Sequence, residues 1–140
     1  MKILLAVDGS DHTKRMLSNI AVRNELLGST HDYTLFTVVS PIPPHAASYL
    51  DRNALDDYYR DEAQRVLEPA RTFAEQKGWR AQAEHAVGHA ADEIAARAAK
   101  GGYDLIVMGT HGRSALRNVV LGSVVTGVLA RSEIPVLLIR

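Results

Sequence analysis

Four residues in the second half of the chain have the types and the spacing of an anion-binding loop. The apolar run Leu105–Met108 predicts a buried strand that ends at Gly109, and Gly112 follows after two residues. After nine more residues, Gly122 and Ser123 begin another apolar segment. Glycine can adopt φ > 0 and lets backbone N–H groups approach a ligand, which is the role expected of Gly109 and Gly112. The N–H groups of a helix that begins near Ser123 favour negative charge, so the pattern predicts a phosphate site.

The spacing of these glycines separates the loop from two common phosphate-binding motifs. A Walker A loop needs a lysine after its second glycine, and this segment has none there. The spacing is also not the GxGxxG of dinucleotide-binding folds. The remaining alternative is that the glycines serve only the turns of the backbone.

A carboxylate follows the first predicted strand. Ile3–Val7 is too apolar to alternate, and it leads into a tight turn in which Ser10 or Asp11 caps a helix. Asp8, at the start of that turn, either accepts hydrogen bonds from ligand hydroxyl or amino groups or satisfies the N–H groups of its own turn. Its charge disfavours direct contact with phosphate.

Polar residues around the glycine loop also have two interpretations each. Arg113 and Arg117 either neutralise phosphates or form a solvated surface. Ser123 either caps a helix or binds phosphate, and the two roles use the same geometry. His111 is either a participant in phosphoryl chemistry or part of the loop surface.

The composition disfavours metal and nucleic-acid sites. Among six histidines only His85 and His89 are four residues apart, without a carboxylate at matched spacing, so no metal site is predicted. Sixteen basic residues balance 16 acidic ones, and aromatic residues make up 6% of the chain, which argues against nucleic-acid binding. Tyr58, Tyr59 and Phe73 are interpreted as core and helix surface, not as a platform for stacking bases.

Length and hydropathy predict one domain over residues 1–140 with a real core. The first apolar run ends at Asp8, short of the ~7–15 residues that a signal peptide needs. No segment approaches the ~20 apolar residues of a membrane span, and there is no cysteine. We expect a cytoplasmic protein that does not contact membranes.

Strand and helix patterns alternate along the chain. The predicted strands are Ile3–Val7, Tyr33–Val39, Trp79–Val87, Leu105–Met108 and Pro135–Arg140. The predicted helices run from the Ser10 or Asp11 cap to Gly28, from Asp51 to about Lys77, from Ala90 to Lys100 and from about Val120 to Arg131. Pro69 predicts a kink or a break near Glu68, and the prolines of segment 40–44 predict a stiff loop.

This alternation predicts an α/β fold, a doubly wound, open, five-stranded parallel sheet with helices on both faces. Right-handed crossovers leave few possible strand orders. In such sheets a ligand binds beyond the carboxyl ends of the strands, where the strand order reverses. If the first and fourth strands are neighbours at that point, Asp8 and the glycine loop face one crevice.

Three stretches of the sequence resemble the universal stress protein family. They are Ala6-Val-Asp-Gly-Ser10, Asp104-Leu-Ile-Val-Met-Gly-Thr-His-Gly-Arg-Ser114 and Pro135-Val-Leu-Leu-Ile139. The spacing Gly109-x2-Gly112-x9-Gly122-Ser123 is similar to the nucleotide-binding signature of that family. The resemblance covers nearly the whole chain. It implies the single-domain subgroup that binds ATP, a Rossmann-like sheet of order 3-2-1-4-5 and a role in the stress response.

The resemblance also implies roles for individual residues. Asp8 would contact the nucleoside, and Gly109 and Gly112 would line the path of the ribose and phosphates. Gly122, Ser123 and the backbone of Val124 would hold phosphates, and the backbone at Val38 and Val39 would meet the adenine. Many members dimerise through the last strand, which implies a homodimer through Pro135–Arg140.

Two positions depart from the family pattern. The chain has Gly88-His-Ala-Ala91 where the family commonly has Gly-x-Pro-Ala, so the next helix begins without the fixed φ of proline. Val125 stands where a small or polar residue is frequent. Neither change alters the glycine spacing.

Three functions remain open from the sequence. The first is a regulatory protein that binds ATP, with any Mg²⁺ carried by the nucleotide. The second is a weak ATPase or self-phosphorylating enzyme using the same pocket, with Ser114 or Ser123 as acceptor. The third is a dimeric scaffold without nucleotide. The intact glycine signature favours binding, and the missing Walker lysine disfavours fast turnover.

Overall fold

The computed structural model describes residues 1–111 and 121–140, and the predicted site residues Gly112 and Arg113 lie outside these ranges. The strands are β1 (Lys2–Ala6), β2 (Asp32–Val39), β3 (Arg80–Val87), β4 (Leu105–Gly109) and β5 (Val136–Ile139). The helices are α1 (Asp11–Val22), α2 (Asn24–Leu27), α3 (Pro44–Ala47), α4 (Arg52–Gln76), α5 (Ala90–Gly101) and α6 (Ser123–Arg131). Among the described residues, no helix is both long and apolar enough to cross a membrane.

The strands form one parallel sheet in the order β3-β2-β1-β4-β5, which confirms the predicted fold class. Leu5 of β1 lies opposite Leu35 of β2 and Val107 of β4. All three side chains are buried, because helices cover both faces of the central strands. Strand order reverses between β1 and β4, so the crevice expected of a doubly wound sheet lies beyond their carboxyl ends.

Alternation along the strands divides the core into two layers. On one face, Ile3 and Leu5 pack with buried residues of α1 and α4, including Met16 and Ala63. On the other face, Leu4 and its neighbours pack with buried residues of α5 and α6. The crevice is therefore bounded by helices from both faces of the sheet.

The first helical segment differs from its prediction. A single helix was expected to run to Gly28, but α1 ends at Val22 and a short α2 follows. Arg23, between them, has φ −103° and ψ 52°, outside the helical region, and its N–H donates to the Ile20 carbonyl oxygen. At the other end of α1 the cap is Ser10, whose side chain accepts from the Thr13 N–H.

The predicted break near Glu68 does not occur. Helix α4 is continuous from Arg52 to Gln76 with Pro69 inside it. Pro69 is exposed, while Val66, Leu67 and Ala70 around it are buried against the sheet. Burial of these neighbours offsets the hydrogen bond that proline cannot make.

The segment between β2 and α4 is a loop to Pro43, after which a short α3 begins at Pro44. The sequence predicted only the loop, because prolines disfavour a helix and this one is a single turn long. The loop is attached to α4 because the Ile42 N–H donates to the Tyr59 hydroxyl at 2.9 Å. This contact fixes the loop beside the end of β2.

Helices α5 and α6 approach each other closely on one face of the sheet. A Cβ at Gly127 of α6 would lie 2.5 Å from the Ala91 Cβ of α5, so only glycine fits at this crossing. Arg97 of α5 also makes a bidentate pair with Glu84 of β3, at 2.6 and 2.9 Å. The hydrogen bond from Arg97 holds the pKa of the Glu84 carboxyl below its ordinary value. These contacts hold α5 on β3 and hold the middle of α6 against the start of α5.

Helix α6 begins at Ser123, with Gly122 as its N-cap. The sequence predicted a start at about Val120, which lies outside the described residues. Leu121 and Gly122 are not helical, so the described part of the segment places the first turn of α6 at Ser123. The helix therefore starts at the glycine–serine pair of the predicted phosphate site.

Candidate functional site

A cavity of about 650 Å³ lies at the carboxyl ends of β1, β2 and β4, where the strand order reverses. Four helices complete its walls: α1 and α4 from one face of the sheet and the N-terminal parts of α5 and α6 from the other. Its volume falls within the roughly 300–1,000 Å³ typical of small-molecule sites. The cavity is large enough for a nucleotide.

The structure brings together the described site residues that the sequence predicted. Those that line the cavity are Asp8, Val38, Val39, Gly109, Gly122, Ser123 and Val124. They come from four separate segments of the chain. The sequence prediction that Asp8 and the glycine loop face one crevice depended on β1 and β4 being neighbours, and they are. The ligand contacts assigned to these residues remain predictions.

Asp8 organises the turn after β1. Its Oδ1 accepts hydrogen bonds from the Ser10 N–H at 2.9 Å and from the Thr13 hydroxyl at 2.8 Å. The Thr13 Oγ1 accepts in turn from the Asp8 N–H at 3.0 Å. Gly9, the residue between Asp8 and Ser10, has φ 76°, a conformation that favours glycine. Asp8 therefore has the turn role that the sequence allowed, and it also lines the cavity.

Gly109 does not have the conformation that the sequence predicted. We expected φ > 0, but Gly109 is the last residue of β4, paired with Ile139, and its φ is not positive. A Cβ there would lie 3.4 Å from the His12 Cβ, in ordinary contact. The backbone of Gly109 belongs to the strand ladder. Of the role that the sequence predicted, only the absence of a side chain beside the cavity therefore applies.

The first turn of α6 presents backbone N–H groups to the cavity. Gly122, with φ −67° and ψ 156°, donates its own N–H to the Thr110 carbonyl oxygen at 2.8 Å. Its carbonyl oxygen accepts the first intrahelical bond, from the Thr126 N–H at 3.1 Å. The N–H groups of Ser123 and Val124 therefore have no acceptor within the helix itself. Such groups, together with the helix dipole, suit an anion.

Two imidazoles meet beside Gly109. The ring centroids of His12, in the first turn of α1, and His111 are 5.4 Å apart. His111 lines the cavity, and its Nδ1 is 3.0 Å from the Thr110 hydroxyl. The sequence singled out His111 but not His12, because the two residues are distant in the chain and meet only through the β1–β4 pairing. Within the described ranges, no group of three or more histidine or acidic side chains is arranged to hold a metal ion.

The wall that α4 contributes was missed from the sequence. Tyr58, Glu62 and Val66 are spaced four residues apart, so they lie on one face of the helix, and all three line the cavity. The sequence placed Tyr58 on the helix surface, where it is 42% exposed, but gave no signal that this surface borders the site. Glu62 pairs with Arg65, with 3.1 Å between its Oε1 and the Arg65 Nη1.

The similarities to known proteins reported below extend over the whole chain or almost all of it. The model of the "Universal stress protein family" matches residues 1–140. Universal stress protein YxiE of Bacillus subtilis is 32% identical over 145 residues, which cover 99% of this chain and 98% of that protein. The solved structure of MJ0577, from Methanocaldococcus jannaschii, has a TM-score of 0.81 at 27% identity and covers 99% of this chain and 94% of that one. A universal stress protein from Archaeoglobus fulgidus, solved in complex with dAMP, has a TM-score of 0.67 at 25% identity, with coverage of 100% and 98%.

Proposed function

The chain belongs to the universal stress protein family, and we propose that it is a regulatory protein that binds ATP in the cavity between β1 and β4. One observation carries the proposal. The described residues to which the motif and the family resemblance assign nucleotide contacts line one cavity of nucleotide size; they are Asp8, Val38, Val39, Gly109, Gly122, Ser123 and Val124. The solved family member from Archaeoglobus fulgidus holds dAMP, an adenine nucleotide, on the same fold.

In this proposal each part of the nucleotide lies beyond one of three neighbouring strands: the phosphates beyond β4, the ribose beyond β1 and the base beyond β2. The phosphates lie at the first turn of α6, where the Ser123 and Val124 N–H groups and the helix dipole stabilise negative charge. The ribose lies near Asp8, whose carboxylate accepts from hydroxyl groups. The adenine lies beyond β2, against the backbone of Val38 and Val39. Gly112 and Arg113 belong to the same predicted phosphate loop in the sequence. Any Mg²⁺ is carried by the nucleotide and not by a separate metal site of the protein.

The chain purified without added nucleotide is expected to carry about one adenine nucleotide per cavity. Denaturation followed by chromatography identifies the released compound, and calorimetric titration of the emptied protein measures the affinities for ATP, ADP and AMP, with and without Mg²⁺. ATP is expected to bind most tightly, because its additional phosphates reach the first turn of α6. No released nucleotide and no binding up to millimolar ATP would overturn the proposal and favour a scaffold without ligand.

We further propose that the protein is a homodimer through segment Pro135–Arg140. Strand β5 is at the edge of the sheet, and the Pro135 and Ile139 carbonyl oxygens accept from β4. Because successive residues of a strand point their backbone groups to opposite sides, Val136 and Leu138 direct theirs to the open edge. An edge strand of this kind can pair with a second copy.

Sedimentation equilibrium is expected to give twice the mass of one chain. Leu138→Pro removes an N–H from the open edge without removing a bond to β4, so this variant is expected to be monomeric. Leu138→Ala loses more of the side chain than Leu138→Pro but keeps the N–H, and it is expected to remain dimeric. A wild-type protein that sediments as one chain, or a dimer that survives Leu138→Pro, would contradict pairing through this edge.

A further inference from the structure

The face of α4 that borders the cavity lies at the opposite end of the cavity from the first turn of α6. Helix α4 packs on β2 and β3, whereas α6 packs with α5 on the other face of the sheet. Tyr58 and Glu62 therefore line the cavity on the side of β2, the strand at whose end the proposed function places the base. They project from one helix at a spacing of four residues, so one planar group can contact both.

The charges of the described lining disfavour a phosphate at Glu62 and favour a hydrogen-bond donor there. Within residues 1–111 and 121–140, the carboxylates that line the cavity are Asp8 and Glu62, and no lysine or arginine lines it. Asp8 serves the turn after β1, and the proposed function places the sugar beside it. The Glu62 side chain is 30% exposed, and its carboxylate can only accept hydrogen bonds. A phosphate there would be repelled, whereas an amino group would be bound.

Tyr58 supplies an aromatic face next to this acceptor. The residue is 42% exposed, and its ring makes an edge contact with Tyr59, with 5.6 Å between the centroids. Tyr59 is in turn hydrogen-bonded to the Ile42 N–H, so the loop after β2 and this turn of α4 are held together. An exposed aromatic ring at a cavity border offers a surface on which a base stacks.

We propose that Glu62 and Tyr58 recognise the base: the Glu62 carboxylate accepts a hydrogen bond from the exocyclic 6-amino group, and the Tyr58 ring stacks on the purine. This role rests on the proposed function, because it needs a nucleotide in the cavity. It makes Glu62 a determinant of adenine specificity, separate from the backbone at Val38 and Val39. It also explains why a carboxylate lies in a cavity that binds an anion, since the base is the uncharged end of that ligand.

The test compares ATP with purine riboside 5′-triphosphate, which lacks only the 6-amino group. Glu62→Ala is expected to weaken ATP binding about tenfold or more relative to the purine riboside compound, because a hydrogen bond to a charged group is lost. Loss of the negative charge and release of Arg65 act on both ligands alike, so the ratio of the two affinities cancels them. Tyr58→Ala is expected to weaken both ligands by a similar factor, since stacking does not need the amino group.

Glu68→Ala is the matched control. Glu68 is on the same helix and is also paired with an arginine three residues later, Arg71 at 3.8 Å, but it does not line the cavity. It is expected to leave both affinities unchanged. Equal affinity changes for the two ligands in Glu62→Ala, including no change, would overturn the role of Glu62 while wild-type ATP binding stands. A wild-type protein that binds neither ligand would instead overturn the proposed function, and the base-recognition role with it.

Discussion

Gly122→Val is expected to lower the affinity for ATP by about 100-fold or more while the chain still folds. Gly122 lines the cavity and precedes the first turn of α6. A valine there places two methyl groups beside the Ser123 and Val124 N–H groups, so phosphate oxygens no longer reach them. Hydrogen bonds to a charged group contribute roughly 1.5–3 kcal/mol each, and loss of two accounts for a change of this size.

The backbone of Gly122 allows this substitution to be tested without unfolding. Its φ of −67° and ψ of 156° are accessible to valine, so no backbone strain is introduced. Valine is a poorer N-cap than glycine, which costs about 1 kcal/mol of stability or less. Calorimetric titration measures binding, and thermal unfolding without ligand confirms that the variant is folded.

Gly122→Ala provides a graded control, since one methyl group is expected to weaken ATP binding less than the branched valine. Wild-type affinity in the valine variant would show that the phosphates bind elsewhere than at the first turn of α6. Parallel loss of affinity for adenosine, which has no phosphate, would show that the substitution damages the whole cavity rather than the phosphate end.

The sequence predicted those parts of the fold that depend on local pattern. Apolar runs such as Leu105–Met108 occur in strands buried on both faces, and the alternation of strand and helix leaves few topologies. Because parallel strands end at the same edge, Asp8 and the glycine loop were expected to face one crevice if β1 and β4 are neighbours, and the family resemblance implied that strand order. The predicted site residues could be brought to one crevice without knowledge of any side-chain contact.

What the sequence missed depends on how elements dock. Whether Gly109 turns or continues a strand is decided by its pairing with Ile139, which lies 30 positions away in the chain. Pro69 is accommodated because its buried neighbours hold α4 on the sheet. Tyr58 and Glu62 border the cavity only because α4 docks over β2 and β3. Helical periodicity shows which residues share a face of α4, but not what that face meets.

Asp8→Ala is expected to reduce both stability and ATP affinity, because Asp8 has two roles. Removal of the carboxylate leaves the Ser10 N–H and the Thr13 hydroxyl without this acceptor, and Thr13 is only 7% exposed. A buried donor left unsatisfied costs roughly 1–3 kcal/mol, so the melting temperature should fall. Loss of the acceptor for the sugar hydroxyls should lower the affinity for ATP as well.

Asp8→Asn and Ser10→Ala separate the two roles of Asp8. Asparagine keeps an oxygen for the turn but replaces the other carboxylate oxygen, an acceptor, by an amide NH2 group, a donor, so we expect nearly unchanged stability and about tenfold weaker ATP binding. Ser10→Ala removes the N-cap of α1, which costs about 1 kcal/mol, and Ser10 does not line the cavity. That variant should melt earlier yet bind ATP as the wild type does. If Asp8→Asn also binds ATP with wild-type affinity, the carboxylate serves only the turn after β1, and ribose recognition belongs to other residues of the cavity.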